Sequence, residues 1–141
     1  MMKILVIDGQ GGKMGRKLLE EIRKSCPEAV ITAVGTNSLA TENMIRANAA
    51  DHLATGENAV IVNCRTADII VGPLGIAMAD ALMGEISPAM ANAVASAAAY
   101  RILIPMNLCD TYVAGVPRGS AAIMEDAIAH IRSLLESGNV R

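Results

Sequence analysis

Lys3-Ile4-Leu5-Val6-Ile7-Asp8 runs directly into Gly9-Gln10-Gly11-Gly12-Lys13-Met14-Gly15, and this junction limits the available folds more than any other stretch. An unbroken apolar run rich in β-branched residues reads as a strand buried on both faces, which is the habit of a parallel sheet. The residues after it are amphipathic at helical spacing. Met14, Leu18, Leu19 and Ile22 share one stripe, with Lys13, Arg16, Lys17, Glu20, Glu21, Arg23 and Lys24 mostly opposite. The pattern predicts a helix from about 13 to 25, and a strand handing over to a helix through glycines opens a βαβ unit.

The alternation continues. Residues 29–34 form a second apolar run, ended by Gly35-Thr36-Asn37. Thr41 can cap a helix reaching about 49, and a short strand is expected near 52–54. Residues 57–66 read either as a strand or as a helix feeding the strand 68–71. Ser87-Pro88 pairs a cap with a first-turn proline and opens a helix to about 99. A strand at 101–105, a short strand near 112–116 and a helix at about 120–136 complete the chain. One domain over residues 1–141 is expected: an α/β, doubly wound, mostly parallel sheet of about five or six strands in a Rossmann-like three-layer sandwich, with strand order near 3-2-1-4-5.

In such sheets a ligand sits beyond the C-terminal strand ends. Those ends read Asp8-Gly9-Gln10-Gly11, Gly35-Thr36-Asn37, Thr55-Gly56, Gly72-Pro73-Leu74-Gly75 and Met106-Asn107. Gly9, Gly12 and Gly15 give the spacing GxxGxxG; the strict GxGxxG form fails because position 14 is Met. Glycine permits positive φ, lets backbone N–H groups approach an anion, and lets a helix lie close on a strand. An anion would then meet free amides and the positive end of the helix dipole. Lys13 and Arg16 in the first turn oppose that dipole, and an anion at the site would compensate them. The plainer reading is a tight strand-to-helix turn with no ligand. The expected cofactor-binding residues are Gly9, Gln10, Gly11, Gly12, Lys13, Met14, Gly15, Thr36, Asn37, Gly72, Pro73 and Gly75.

The segment Ile7-Asp8-Gly9-Gln10-Gly11-Gly12-Lys13-Met14-Gly15-Arg16 resembles the nucleotide-binding loop of dihydrodipicolinate reductases over roughly the first 20 residues. That resemblance implies NAD(P)H, with the backbone of Gly11, Gly12, Lys13, Met14 and Gly15 cradling the pyrophosphate. The reductases' separate substrate domain and their His-His-then-Lys region have no counterpart here. Over its whole length the chain resembles a family of small bacterial proteins of unknown function. The shared phrases are Ile-Asp-Gly-Gln-Gly-Gly, Ala-Val-Gly-Thr-Asn, Ala-Thr-Gly-Glu-Asn-Ala, Gly-Glu-Ile-Ser-Pro-Ala-Met and Ile-Leu-Ile-Pro-Met-Asn. An NAD site usually carries an acid at the end of the second strand for the ribose hydroxyls. This chain has Gly35-Thr36-Asn37-Ser38 instead, which tips the expected cofactor toward NADP over NAD, or toward another small phosphorylated ligand.

Composition excludes several classes. The net charge is −2 and the only aromatic residues are Tyr100 and Tyr112, so neither a basic nucleic-acid surface nor a base-stacking platform is expected. Cys26, Cys64 and Cys109 are widely spaced, with His52 and His130 isolated, so no metal site and no disulfide framework is expected, and the reading is a reducing cytoplasm. Asp8 and the glycines interrupt the N-terminal apolar run, against a signal peptide. The apolar region 69–83 is too short and too broken to span a membrane.

Residues 67–100 carry Asp68, Asp80 and Glu85 but no Lys or Arg, and ten of the 24 residues from 76 to 99 are alanine. A surface helix should show a charged face. A homodimer through residues 76–99 is therefore expected. Glu85 lies among apolar neighbours, where burial would raise its pKa and suit acid–base work; the alternatives are a cap for the helix near Ser87 or a pair with Arg101. Cys109 is a possible nucleophile but reads more simply as a buried thiol. The leading reading is a nucleotide-binding protein with its reaction open. Its rivals are a non-catalytic nucleotide sensor or regulatory dimer, and a structural or assembly protein with no ligand.

Overall fold

A computed structural model describes residues 1–106, 110–116 and 120–140. Five strands, β1 (Lys3–Asp8), β2 (Val30–Gly35), β3 (His52–Thr55), β4 (Ile69–Pro73) and β5 (Tyr100–Ile104), alternate with α1 (Lys13–Ser25), α2 (Ser38–Ile45), α3 (Glu57–Cys64), α4 (Pro88–Ser96) and α5 (Ser120–Ser137). The strands form one sheet in the order β3-β2-β1-β4-β5, and every pairing is parallel. This is the doubly wound three-layer sandwich expected, with five strands. Residues 110–116 contain no sixth strand.

Side chains alternate across β1, so each face of the sheet builds its own core. Ile4 and Val6 pack with Leu18, Leu19 and Ile22 of α1 and with Ile128 and Ile131 of α5. Leu5 and Ile7 face the other way, against Val60 of α3 and Met90 and Val94 of α4. Residues 57–64 resolve as helix because Val60 and Cys64, one turn apart, both reach that second core.

One helix start moves. The helix after β2 starts at Ser38, capped by Asn37, whose Oδ1 accepts the Ala40 N–H at 2.8 Å. Thr41 instead lies buried inside that helix, its hydroxyl 2.7 Å from that of Thr55. Asn37 wins the cap because it stands at the strand end itself, with β-region backbone. In α4, Met90, Ala91 and Val94 are buried within the chain, while Ala89, Asn92, Ala95 and Ser96 are exposed. Much of the missing charge is thus explained by packing against the sheet and α3. Among the described residues no helix is long and apolar enough to cross a membrane.

Arg23, in the last turns of α1, ties three segments together. Its guanidinium donates to the carbonyls of Ala29 and Ala49 at 3.0 Å and to Asp51 at 2.9 Å. Asp51 also accepts the Ile31 N–H, and these bonds hold its carboxyl below the usual range. The start of α1 depends on Gly12, whose φ of 72° is left-handed and whose absent Cβ would stand 2.5 Å from the Ala40 carbonyl oxygen. Gly12→Ala is expected to cost at least about 2 kcal/mol, from strained backbone and a collision with backbone that cannot swing away. Gly11→Ala should stay within about 1 kcal/mol of the parent protein. Chemical denaturation of both variants checks the contrast; equal losses would refute it.

Candidate functional site

The C-terminal ends of β1, β2 and β4 meet beside the start of α1. There lies a cleft of about 350 Å³ lined by the run from Asp8 to Met14 with Pro73, Leu82 and Met106. Asp8 forms its floor. This buried carboxylate accepts the Gly9 N–H at 2.8 Å and the Gly15 N–H at 2.7 Å. Burial pushes its pKa up; the two amide bonds pull the other way, and the charge of Glu85 adds to the rise. Gly12 donates to the Gly9 carbonyl. Among the described residues, the N–H groups of Gly11, Lys13 and Met14 donate to nothing.

The glycines of the loop serve different ends. A Cβ on Gly15 would press on Met44 and Asp8, so this glycine lets α1 lie close to α2 and β1. A Cβ on Gly9 would stand 2.7 Å from the Thr36 hydroxyl and 2.9 Å from Leu82. Gly11 differs: its φ is not left-handed, and nothing lies within 4 Å of where its Cβ would be. No internal packing asks for glycine there, and Gly11 lines the cleft.

Glu85 arrives from the segment after β4. A 3-10 turn (Leu74–Ala77) leads into residues 78–86, where Asp80, Leu82 and Met83 adopt positive φ together with Gly84. Three non-glycine residues in that region carry strain, which the surrounding structure must hold in place. Ile86, fully buried, anchors one end. At the other, Glu85 Oε1 accepts from the Gln10 N–H at 2.9 Å, the Thr36 hydroxyl at 2.7 Å and the Asn37 amide at 2.6 Å. The second amide hydrogen of Asn37 goes to the Gln10 carbonyl.

Glu85 therefore neither caps α4 nor pairs with Arg101. Ser87 caps α4, and Arg101 donates to the carbonyls of Ala97 and Ala99. Nor does burial dominate its titration: partial burial pushes the carboxyl up, but the three hydrogen bonds outweigh it and hold it below the ordinary glutamate range. The sequence alone hid this contact, since Glu85 and Gln10 are 75 positions apart. The corner is thus partly filled by the chain's own carboxylate, and the cleft remains open beside it.

Of the residues expected to bind a cofactor, Gly9, Gln10, Gly11, Gly12, Lys13, Met14 and Pro73 line the cleft. Thr36 and Asn37 stand beside it, engaged with Glu85. Gly15, Gly72 and Gly75 do not line it. A Cβ on Gly72 would collide with the Ile7 carbonyl, and one on Gly75 would meet Ala81 at 3.3 Å, so both serve packing. Asn107 and Cys109 lie outside the described residues. Cys26 and Cys64 are buried free thiols, and burial pushes Cys64 up to about 11, which makes it inert at neutral pH. Tyr100 and His130 stack on the far edge of the sheet, their polar atoms 3.0 Å apart.

The two carboxylates predict opposite pH effects. With Glu85 lowered in the fold, its stabilisation is complete above the ordinary value of 4.5 and lost as pH falls through the lower folded one. With Asp8 raised, its contribution is complete below the ordinary value of 3.8 and lost as pH rises through the higher folded one. Carboxyl-detected NMR titration should find Glu85 below and Asp8 above those values. The reverse order would contradict the hydrogen-bond arrangement described.

No curated protein matches the sequence. Among solved structures, a dodecameric FMN-dependent UbiX-like decarboxylase from Escherichia coli O157:H7 is similar, at 20% identity and a TM-score of 0.50, with 98% of this chain and 94% of that one covered. This likeness is one of fold. At the level of sequence, residues 3–136 match the family described as "Domain of unknown function (DUF3842)", and the chain belongs to that family.

Proposed function

We propose that this chain is a nucleotide-binding domain that holds the phosphate of its ligand over Gly9–Gly15. The observation that carries this reading is Gly11. It lines a cleft at the strand ends, has no conformational or packing need to be glycine, and stands beside the N–H groups of Lys13 and Met14, which donate to nothing among the described residues. Bare amides in open space at the start of a helix suit an anion, because both the dipoles and the lack of side-chain bulk favour it. Lys13, exposed at the rim, adds a cation.

The nucleotide expected from the loop is NAD or NADP. The solved decarboxylase of like fold is named FMN-dependent, which adds flavin mononucleotide to the candidates. Among the described residues lining the cleft, the ionisable side chains are Asp8 and Lys13, and both Asp8 oxygens are already engaged. The chain's own part is then to bind and orient, while any hydride or electron transfer would come from the bound nucleotide. A reducing cytoplasm suits the buried free thiols.

The homodimer expected through residues 76–99 would use the outward face of α4, where Ala89, Asn92, Ala95 and Ser96 are small enough for close approach. Sedimentation at micromolar concentration should show a dimer that Ala95→Glu converts to monomer. A monomeric parent protein, or an Ala95→Glu dimer, would remove this interface.

Thermal unfolding with inorganic phosphate, NAD⁺, NADP⁺ and FMN tests the ligand. At about 100 times its dissociation constant, a true ligand should add about 2.7 kcal/mol of stability. Gly11→Val is the discriminating variant, because it adds bulk at a cleft-lining position where a Cβ meets nothing within 4 Å. It should fold normally and lose the response; Gly11→Val that responds like the parent protein would displace the ligand from this corner.

A further inference from the structure

We infer that Glu85 is the specificity-determining residue of this corner, accepting hydrogen bonds from the free hydroxyls of an unphosphorylated ribose and rejecting a ribose phosphate, so that the ligand is of the NAD class rather than the NADP class. The inference rests on the phosphate-corner reading above and extends it to the sugar.

A dinucleotide site needs an acceptor for ribose hydroxyls near the end of the second strand. Here β2 ends in Gly35-Thr36-Asn37, with no acid in sequence. In space the acid is present. The segment after β4 brings Glu85 to that strand end, and Thr36 and Asn37 hold it by Oε1. Three donors converge on that one oxygen. Oε2 accepts nothing among the described residues, so its acceptor capacity is intact. A carboxylate held by one oxygen with the other open is well suited to a sugar hydroxyl, because the bond is charge-assisted and the acceptor is already oriented. Gly9 belongs to the same device, since a side chain there would meet Glu85 Oε1 at 3.1 Å and lift the carboxylate away.

A ribose phosphate would find the opposite of what it needs. It requires donors and positive charge. The Thr36 hydroxyl and both amide hydrogens of Asn37 are already committed. Arg16, the guanidinium in the neighbouring helical turn, is engaged by Glu20 and Asn43. Lys13 serves the phosphate corner in the reading above, so at the end of β2 the charge on offer is the negative one of Glu85, and like charges brought together discriminate strongly.

The experiment is calorimetric titration of NAD⁺, NADP⁺ and FMN into the parent protein and into Glu85→Gln at one ionic strength. Glu85→Gln keeps an oxygen for the three donors and removes the charge. The parent protein should bind NAD⁺ at least about tenfold tighter than NADP⁺, and Glu85→Gln should shrink that ratio by about tenfold, chiefly through tighter NADP⁺. Equal binding of the two by the parent protein, or an unchanged ratio in Glu85→Gln, would overturn the inference while the phosphate corner stands. Binding of FMN with neither dinucleotide would do the same. Silence from all three would remove both readings.

Discussion

A buried carboxylate at the end of the central strand organises this molecule. Asp8 closes β1 and turns back on the chain, accepting the amides of Gly9 and Gly15 from the two ends of the loop. That clamp sets where α1 begins, and with it the angle at which Leu18, Leu19 and Ile22 meet the sheet. Taking a charge out of water opposes folding, and the rise of its pKa records the cost. Two well-aligned amide donors offset part of it. Gly9 and Gly15 give their amides to Asp8, while those of Gly11, Lys13 and Met14 donate to nothing among the described residues.

Around that clamp, the corner is a meeting of three strand ends rather than a property of the glycine loop alone. Asn37 shows this best. Its Oδ1 caps α2, while its Nδ2 reaches both the Gln10 carbonyl and Glu85. One side chain therefore joins the ends of β1 and β2 to the segment following β4. The strained residues of 80–84 sit in that last segment, close to where Glu85 makes its contacts. Backbone strain persists only where the surrounding structure over-determines it, and here a buried Ile86 and a triply bonded Glu85 supply the constraint.

The parallel sheet, its order and most helices were legible in the chain because they rest on local pattern. Ile4, Val6, Leu5 and Ile7 announce a strand covered on both faces, and the stripe Met14, Leu18, Leu19, Ile22 announces its partner. Where two local signals competed, the pattern gave less. Thr41 and Asn37 are both plausible caps, and only the position of the β2 end selects Asn37. The short segment 112–116 has strand-like residues but adopts a turn and pairs with no strand among the described residues. The stretch 76–99, which holds Asp80 and Glu85 but no Lys or Arg, read as an interface, and Met90, Ala91 and Val94 bury part of its apolar surface inside the chain.

The sequence by itself determined the doubly wound sheet and the place where its first strand meets a glycine-bearing helix start, because periodicity, β-branching and glycine act over a few residues. Only the tertiary structure decided which glycines serve packing and which faces open space, and which distant acid completes the corner. Gly9, Gly11, Gly12 and Gly15 look alike along the chain, but Gly9 abuts Thr36 and the segment after β4, Gly12 and Gly15 abut α2, and Gly11 abuts nothing. Glu85 meets Thr36 across 49 positions of sequence. Such contacts are fixed by how layers stack, a long-range outcome that no local pattern encodes.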